Sequence, residues 1–225
     1  MRILFNFATR SRPEKAFKCI DNIISMARHD DYVILMVMDI DDPAMNTREV
    51  YDRLKSYGDK VIPSYGYSTG KINAINREIN YHDSWDIVVN TSDDMWFVKE
   101  GFDLQIIEDM KRLYPDTDGV LHYHDSHHYG DKLMTMSIIG RLYFLRDKFI
   151  YNNDFVSLFV DNLAKDVAVC RGKYSYQGDN NILFNHIHPM HNKGVPIDDQ
   201  YRYTESFYEQ DRQTYMRHKS NGYYL

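Results

Sequence analysis

Apolar runs and polar breaks alternate along the first half of the chain in a pattern that predicts a sheet wrapped by helices. Ile3, Leu4, Phe5 and Phe7 open a strand over residues 3–8, which stops at the polar turn Thr9-Arg10-Ser11-Arg12-Pro13. A helix-like stretch follows from Glu14 to Arg28, and Pro13 suits a first helical position, where no backbone N–H is needed. Tyr32 to Met38 is a continuous apolar run, the pattern of a parallel strand buried on both faces, and it ends at Asp39, Asp41 and Asp42. Next come a helix near Arg48 to Ser56, a short strand at Lys60 to Pro63 and a helix from about Lys71 to Asn80. A strand through Ile87-Val88-Val89 then runs into Asn90-Thr91-Ser92-Asp93-Asp94, and a helix spans Phe102 to Leu113.

Strand and helix in this alternation predict an α/β fold with a mostly parallel, doubly wound sheet. In such sheets ligands bind beyond the carboxyl ends of the strands, near the point where strand order reverses. Three polar segments fall at such ends: Thr9 to Arg12, Asp39 to Asp42 and Ser92 to Asp94. The second half is less regular. It predicts strands near Gly119 to Tyr123 and Met134 to Ile138, a helix near Phe155 to Arg171, a strand near Ile182 to Ile187, and a charged helix from about Thr204 to Lys219.

Composition narrows the class. The 225 residues are 43% hydrophobic and 27% charged, without repeat, low-complexity block or long linker, which fits one globular domain over 1–225. The N-terminus turns polar too soon for a signal peptide and no apolar run has the length of a membrane span, so a cytoplasmic protein without a transmembrane segment is expected. Two cysteines, Cys19 and Cys170, suggest neither a disulfide framework nor a zinc knuckle. A net charge of −6 disfavours a surface devoted to the DNA backbone, while leaving room for a local basic groove. The 19 tyrosines and 10 histidines, concentrated in the second half, supply flat aromatic area suited to sugars and bases, or equally an aromatic-rich core.

Ser92-Asp93-Asp94 carries the sharpest chemistry. Two carboxylates left unpaired in a dry interior would cost several kcal/mol, so they belong at an open strand end that a divalent cation or polar ligand can neutralise. The alternative is that they cap the following turn or helix, whose N-terminus favours carboxylates.

Four blocks in order, Thr9-Arg10-Ser11-Arg12-Pro13, Met38-Asp39-Ile40-Asp41-Asp42, Gly70-Lys71-Ile72-Asn73-Ala74-Ile75-Asn76 and Ser92-Asp93-Asp94, resemble the glycosyltransferase-A fold and, within it, family 2 glycosyltransferases. The resemblance spans residues 3 to about 100, with a weaker match through to about 190. It implies a nucleotide-binding half over 1–100 and an acceptor half with a C-terminal helix over 101–225. It further implies that Asp39 recognises the nucleotide base with Thr9, Arg10, Arg12 and Asp41 beside it, that Lys71 lies near the base or the diphosphate, that Asp93 contacts ribose or a water around the metal, and that Asp94 binds Mn2+ or Mg2+. Ser92 departs from the family pattern by replacing the first aspartate of its Asp-x-Asp element.

In the second half Phe159-Val160-Asp161-Asn162 resembles the family's acidic pair near the acceptor, making Asp161 the candidate base for an inverting transfer. The alternative is an exposed helix carboxylate paired with Lys165 at i, i+4 spacing. His186 and His188 share a face if the strand continues that far, and the resemblance suggests a late histidine completing the metal or diphosphate shell, with His188 preferred. His122, His124, His127 and His128 lack the carboxylate or cysteine pattern of a closed zinc site, and His122 to Asp125 reads as a strand end lining the acceptor side, or as a structural loop. Trp96 and Phe97 suit a sugar platform or the core, with core preferred for Phe97. The tail, with Tyr201, Arg202, Tyr203, Glu205, Tyr208, Arg212, Arg217, His218 and Lys219, reads chiefly as a solvated helical face, the other possibility being a helix that closes over the nucleotide.

The expected function is transfer of a sugar from a nucleoside-diphosphate donor, UDP by preference, to an acceptor hydroxyl on a glycan or a modified DNA base, in bacterial surface-glycan assembly or a phage. The alternatives are a nucleotidylyltransferase, whose glycine-rich phosphate loop is missing from Thr9 to Pro13, and a nucleotide- or glycan-binding module without turnover.

Overall fold

The structure, a computed structural model, describes residues 1–82, 84–126, 130–189, 192 and 194–225. The first half contains β1 (Ile3–Thr9), α1 (Pro13–Met26), β2 (Tyr32–Asp39), α2 (Arg48–Ser56), β3 (Val61–Gly66), α3 (Lys71–Arg77) and β4 (Ile87–Thr91). These strands are parallel in the order β3-β2-β1-β4, so the chain winds outward from β1 and then returns to its other side. The order therefore reverses between β1 and β4, and residues 9–12 and 92–94 follow the carboxyl ends of these two strands.

The apolar runs form strands because both sheet faces are covered. Ile3, Phe5, Phe7, Ile34, Met36 and Met38 face one core with the buried side of α1, Ala16, Phe17, Cys19, Ile20 and Ile23. Leu4, Val33, Leu35 and Val37 point the opposite way, into a second core with Ile72 and Ile75 of α3. The two-residue period of a strand assigns the faces.

The second half adds β5 (Met95–Phe97), α4 (Phe102–Leu113), β6 (Val120–His122), β7 (Ile138–Gly140), α5 (Arg141–Asp147), α6 (Val160–Cys170), β8 (Tyr174–Tyr176), β9 (Phe184–His186), α7 (Asp199–Glu205) and α8 (Tyr208–Ser220). The main sheet has seven strands, β3-β2-β1-β4-β7-β6-β8, with β7 antiparallel to both neighbours. β5 pairs antiparallel with β9 as a separate ribbon. Among the described residues no helix is long and apolar enough to cross a membrane.

Several element boundaries differ from the sequence expectation, each for a local reason. The helix expected from Phe155 begins at Val160, because Phe159 takes a left-handed conformation, φ 60°, and the N–H groups of Val156, Ser157 and Leu158 all donate to Asp211. The strand expected at 134–138 lies instead at Ile138–Gly140. The single tail helix is two, α7 capped by the Asp198 side chain, which accepts from the Tyr201 N–H at 3.1 Å, and α8 after a break at Ser206-Phe207. β5, α5 and β8 are too short to stand out from their surroundings in the sequence.

Candidate functional site

The turn after β4 is held from below. The Cys19 thiol lies 3.3 Å from the carbonyl oxygens of both Ser92 and Met95, and its pKa is pushed up by burial and by the neighbouring Asp93 and Asp94. Above the turn, β5 and β9 pair with Met95 opposite His186, and the Ile187 N–H donates to the Asp94 carbonyl at 2.7 Å. This register sets His186 against Asp94, with Nε2 3.5 Å from Oδ2.

Asp94 is the most heavily supported carboxylate of the rim. The Ser92 hydroxyl donates to one oxygen, and the Tyr201 hydroxyl donates to the other at 3.1 Å. Burial by itself would raise its pKa. The His186 hydrogen bond and charge, the Ser92 hydroxyl and the charge of Lys71 outweigh burial and hold the carboxyl far below its ordinary range. His186 in turn sits between Asp94 and Asp125, 3.8 Å from the latter, and although burial favours its neutral form these two carboxylates lift its pKa to about 9. Ser92 therefore does chemical work as a donor to Asp94. The His188 ring lies 5.5 Å from that of His186 and 5.0 Å from that of Tyr201.

Asp93 is buried and faces the other way, accepting from Arg12 Nη1 at 3.1 Å. Burial and Asp94 push its pKa up against the pull of Arg12. Arg12 Nη2 donates to Asp198 at 2.6 Å, and the guanidinium lies 4.4 Å over the Tyr201 ring. Lys15, a turn further along α1, reaches the same Asp198 carboxylate at 3.4 Å.

At the end of β2, Asp39 is ion-paired on both oxygens, with Arg10 at 2.8 Å and with Arg77 at 3.3 Å. Arg10 also binds Asp41 at 2.9 Å, and Asp41 and Asp39 together raise its pKa against the opposing effect of burial. Arg77, which lies one residue beyond the third sequence block, further donates to the Ser68 hydroxyl and the Met38 carbonyl. Asp42 has a structural job: fully buried, it accepts from the Ser11 and Ala44 N–H groups and so fixes the β1–α1 loop, in which Ser11 has φ 61°. Thr9 is buried at the tip of β1, where its hydroxyl has no hydrogen-bond partner among the described residues, and the Nε of Arg12 likewise has none.

Lys71 heads α3 directly after Gly70, and its charge stabilises the ionised forms of both Asp94 and Asp161. Asp161 lies in the first turn of α6. Burial raises its pKa, against the hydrogen bond from the Asn162 N–H at 2.9 Å and the charges of Lys71 and His186. Lys165, the alternative partner for Asp161, pairs with Asp131 at 3.3 Å instead. Thus Asp94, Lys71, His186 and Asp161 share one electrostatic neighbourhood, contributed by β4, α3, β9 and α6.

Other expected residues lie elsewhere. Phe97 is core, stacked on Phe102 at 3.6 Å, and Trp96 is half-buried beside it. His122 is buried with Nδ1 2.6 Å from the Tyr174 hydroxyl, and burial drives its pKa down to about 4. His127 and His128 lie outside the described residues. Most tail charges satisfy each other at the surface, Arg202 with Asp199, Arg212 with Glu209, and Arg217 and His218 with Asp154.

The sequence matches no protein-family model and no curated protein. Solved structures do match. PcManGT, a mannosyltransferase from Pyrobaculum calidifontis solved with GDP-Man and Mn2+, superposes with a TM-score of 0.63 at 14% identity, over 81% of this chain and 56% of its own. TarS from S. aureus gives 0.65 at 11% identity, over 84% of this chain and 37% of its own. The fold is that of the glycosyltransferase-A class. Glucosyl-3-phosphoglycerate synthase from Mycobacterium tuberculosis, solved with Mn2+, UDP and phosphoglyceric acid, has the same fold, with a TM-score of 0.57 at 12% identity over 88% of this chain and 73% of its own. The chain therefore spans little more than half of the mannosyltransferase and a smaller share of TarS.

Within the glycosyltransferase-A fold, the donor set at the rim suits a cation that arrives with a phosphate ligand. Mg2+ and similar hard ions are commonly held by one or two carboxylates, with waters and substrate phosphates completing the shell. Asp94 offers an ionised carboxylate of this kind, whereas Asp93 is tied to Arg12. Among the described residues no three His, Cys, Asp or Glu side chains form a closed cage.

Sequence reasoning missed Arg77, Asp198 and Asp211, each a single polar residue inside an ordinary helical or loop pattern. It named Tyr201 only as part of the charged tail.

Proposed function

We propose that the protein is a glycosyltransferase that moves a sugar from a nucleoside-diphosphate donor, with UDP the preferred nucleotide, to an acceptor hydroxyl, using Mn2+ or Mg2+. One observation carries this reading: Asp94 lies just beyond the carboxyl end of β4, beside the point where strand order reverses, with Arg12 and Asp39 on the adjoining strand ends and the charge of Lys71 acting on both Asp94 and Asp161. The mannosyltransferase and phosphoglycerate synthase structures carry Mn2+ with GDP-Man or UDP on the same fold, which supports it.

Asp94 is the residue that would hold the metal, whose chemistry is Lewis-acid stabilisation of the departing diphosphate. Arg12 and Lys71 add fixed positive charge where that leaving group gains negative charge. The Arg10–Asp39–Arg77 cluster borders the place of the base. Asp161 takes the proton of the acceptor hydroxyl as its oxygen bonds to the anomeric carbon and the bond from that carbon to the phosphate oxygen breaks. Burial suits it to this task by making the carboxylate more basic. A single displacement of this kind inverts the anomeric centre.

A nucleotide-binding module without turnover is favoured by one observation, that both Asp94 oxygens already accept hydrogen bonds from Ser92 and Tyr201. Release of nucleoside diphosphate from UDP- and GDP-sugars, with Mn2+ or with EDTA, separates the two. The transferase reading predicts metal-dependent release. Asp161→Asn should lower acceptor-dependent transfer by roughly a hundredfold or more, the usual scale of general-base catalysis, while UDP binding changes little. Unchanged turnover would remove Asp161 from the mechanism.

A further inference from the structure

We propose that α7 is a self-inhibitory strap: Asp198 and Tyr201 occupy the positions on Arg12, Lys15 and Asp94 that the donor diphosphate and its cation take. The inference rests on the transferase reading and concerns the regulation of that same site.

A single turn at the start of α7 engages both halves of the candidate phosphate site. The Asp198 carboxylate accepts from Arg12 at 2.6 Å and from Lys15 at 3.4 Å, so one anion bridges two cations as a phosphate would. Three residues on, Tyr201 covers Arg12 with its ring at 4.4 Å and donates its hydroxyl to Asp94 at 3.1 Å. With Nη1 on Asp93, Nη2 on Asp198 and the ring of Tyr201 against its face, Arg12 has only Nε without a hydrogen-bond partner among the described residues. A diphosphate cannot share Nη2 and Lys15 with Asp198 without placing two anions side by side, and a cation on Asp94 competes with the Tyr201 hydroxyl. Donor binding and the present position of α7 are therefore mutually exclusive.

The strap is built to detach. α7 has seven residues, and Tyr201 is its only buried one, so few apolar contacts hold it. The described residues between 187 and 198 contain no helix or strand. After it, the break at Ser206-Phe207 separates it from α8, which Asp211 anchors through three backbone N–H groups. α7 can swing while α8 stays. Apparent donor affinity then falls by the fraction of molecules in which the strap is open.

Hydrogen exchange on the full chain, with and without UDP and Mn2+, tests this. The expected result is slower exchange at residues 9–12 and 70–76 together with faster exchange at 198–207. Slower or unchanged exchange at 198–207, with 9–12 protected, overturns the strap and makes α7 part of the donor pocket. No protection anywhere refutes the transferase reading, and the strap falls with it. In parallel, Asp198→Asn and Tyr201→Phe should each tighten UDP–Mn2+ binding about two- to fivefold, the scale of one partly exposed polar contact. Weaker or equal binding in either variant, with an unaltered melting temperature, contradicts the inference.

Discussion

Replacing Asp211 by Ala should destabilise the protein far more than a charge on a tail helix normally would. Its carboxylate is fully buried and accepts from the N–H groups of Val156, Ser157 and Leu158 at 3.0, 2.8 and 2.7 Å. Hydrogen bonds to charged groups contribute roughly 1.5–3 kcal/mol each, but the three share one carboxylate and do not add fully. Ser157 is buried, whereas Val156 and Leu158 are half-buried and can regain water. Counting one full loss and two discounted ones gives a cost of about 3–5 kcal/mol, against a total stability on the order of 5–15 kcal/mol. The variant should therefore fold, with a clearly lower urea midpoint. Urea denaturation followed by circular dichroism measures this, and a loss below about 1 kcal/mol would refute the reasoning. Because residues 156–158 lead directly into the helix that carries Asp161, transfer should fall further in this variant than UDP binding does.

Two further predictions concern stability. Asn76→Ala should cost about 2–4 kcal/mol in the same assay, because this buried amide donates to the Tyr151 carbonyl and Asn153 and accepts from the Ile150 N–H, leaving several groups unpaired when removed. The pH profile of the metal-stripped protein should peak near pH 6.5. His122, held by burial and by Lys165 at about 4, favours the fold fully above its ordinary pKa of about 6.5, and this contribution, on the order of 3 kcal/mol, is lost as pH falls toward 4. His186 works oppositely: raised to about 9, it contributes below about 6.5 and loses that contribution as pH rises through 9. Thermal melts across pH 4–10 check both limbs, and an acid limb unchanged in His122→Asn would contradict the first.

The main sheet was legible because its strands are buried on two faces, which turns Tyr32 to Met38 and Ile87 to Val89 into continuous apolar runs. The polar strand ends followed from the same reading, and Asp42 shows its limit: a carboxylate at such an end can be a loop anchor. Asn76 carries the same lesson inside the third block, where its side chain ties α3 to residues 150–153. The short strands were not legible, and with them went the choice between His186 and His188. Alternation puts both imidazoles on one face, and the pairing of Met95 with His186, which sets His186 against Asp94, has no signal in the sequence. The tail hid its two important residues for a related reason. Charges on every face of α8 mask the single buried Asp211, and the pattern of α7 gives no sign that Tyr201 turns inward.

Titration of UDP into the full chain by calorimetry, with Mn2+ and again with EDTA, for wild type and Asp94→Asn, tests the central claim most directly. A metal-linked nucleoside-diphosphate site on this rim predicts UDP binding at least tenfold tighter with Mn2+ in the wild type, and loss of that difference in Asp94→Asn. Equal affinity in all four titrations, or no binding of UDP in any of them, would contradict it.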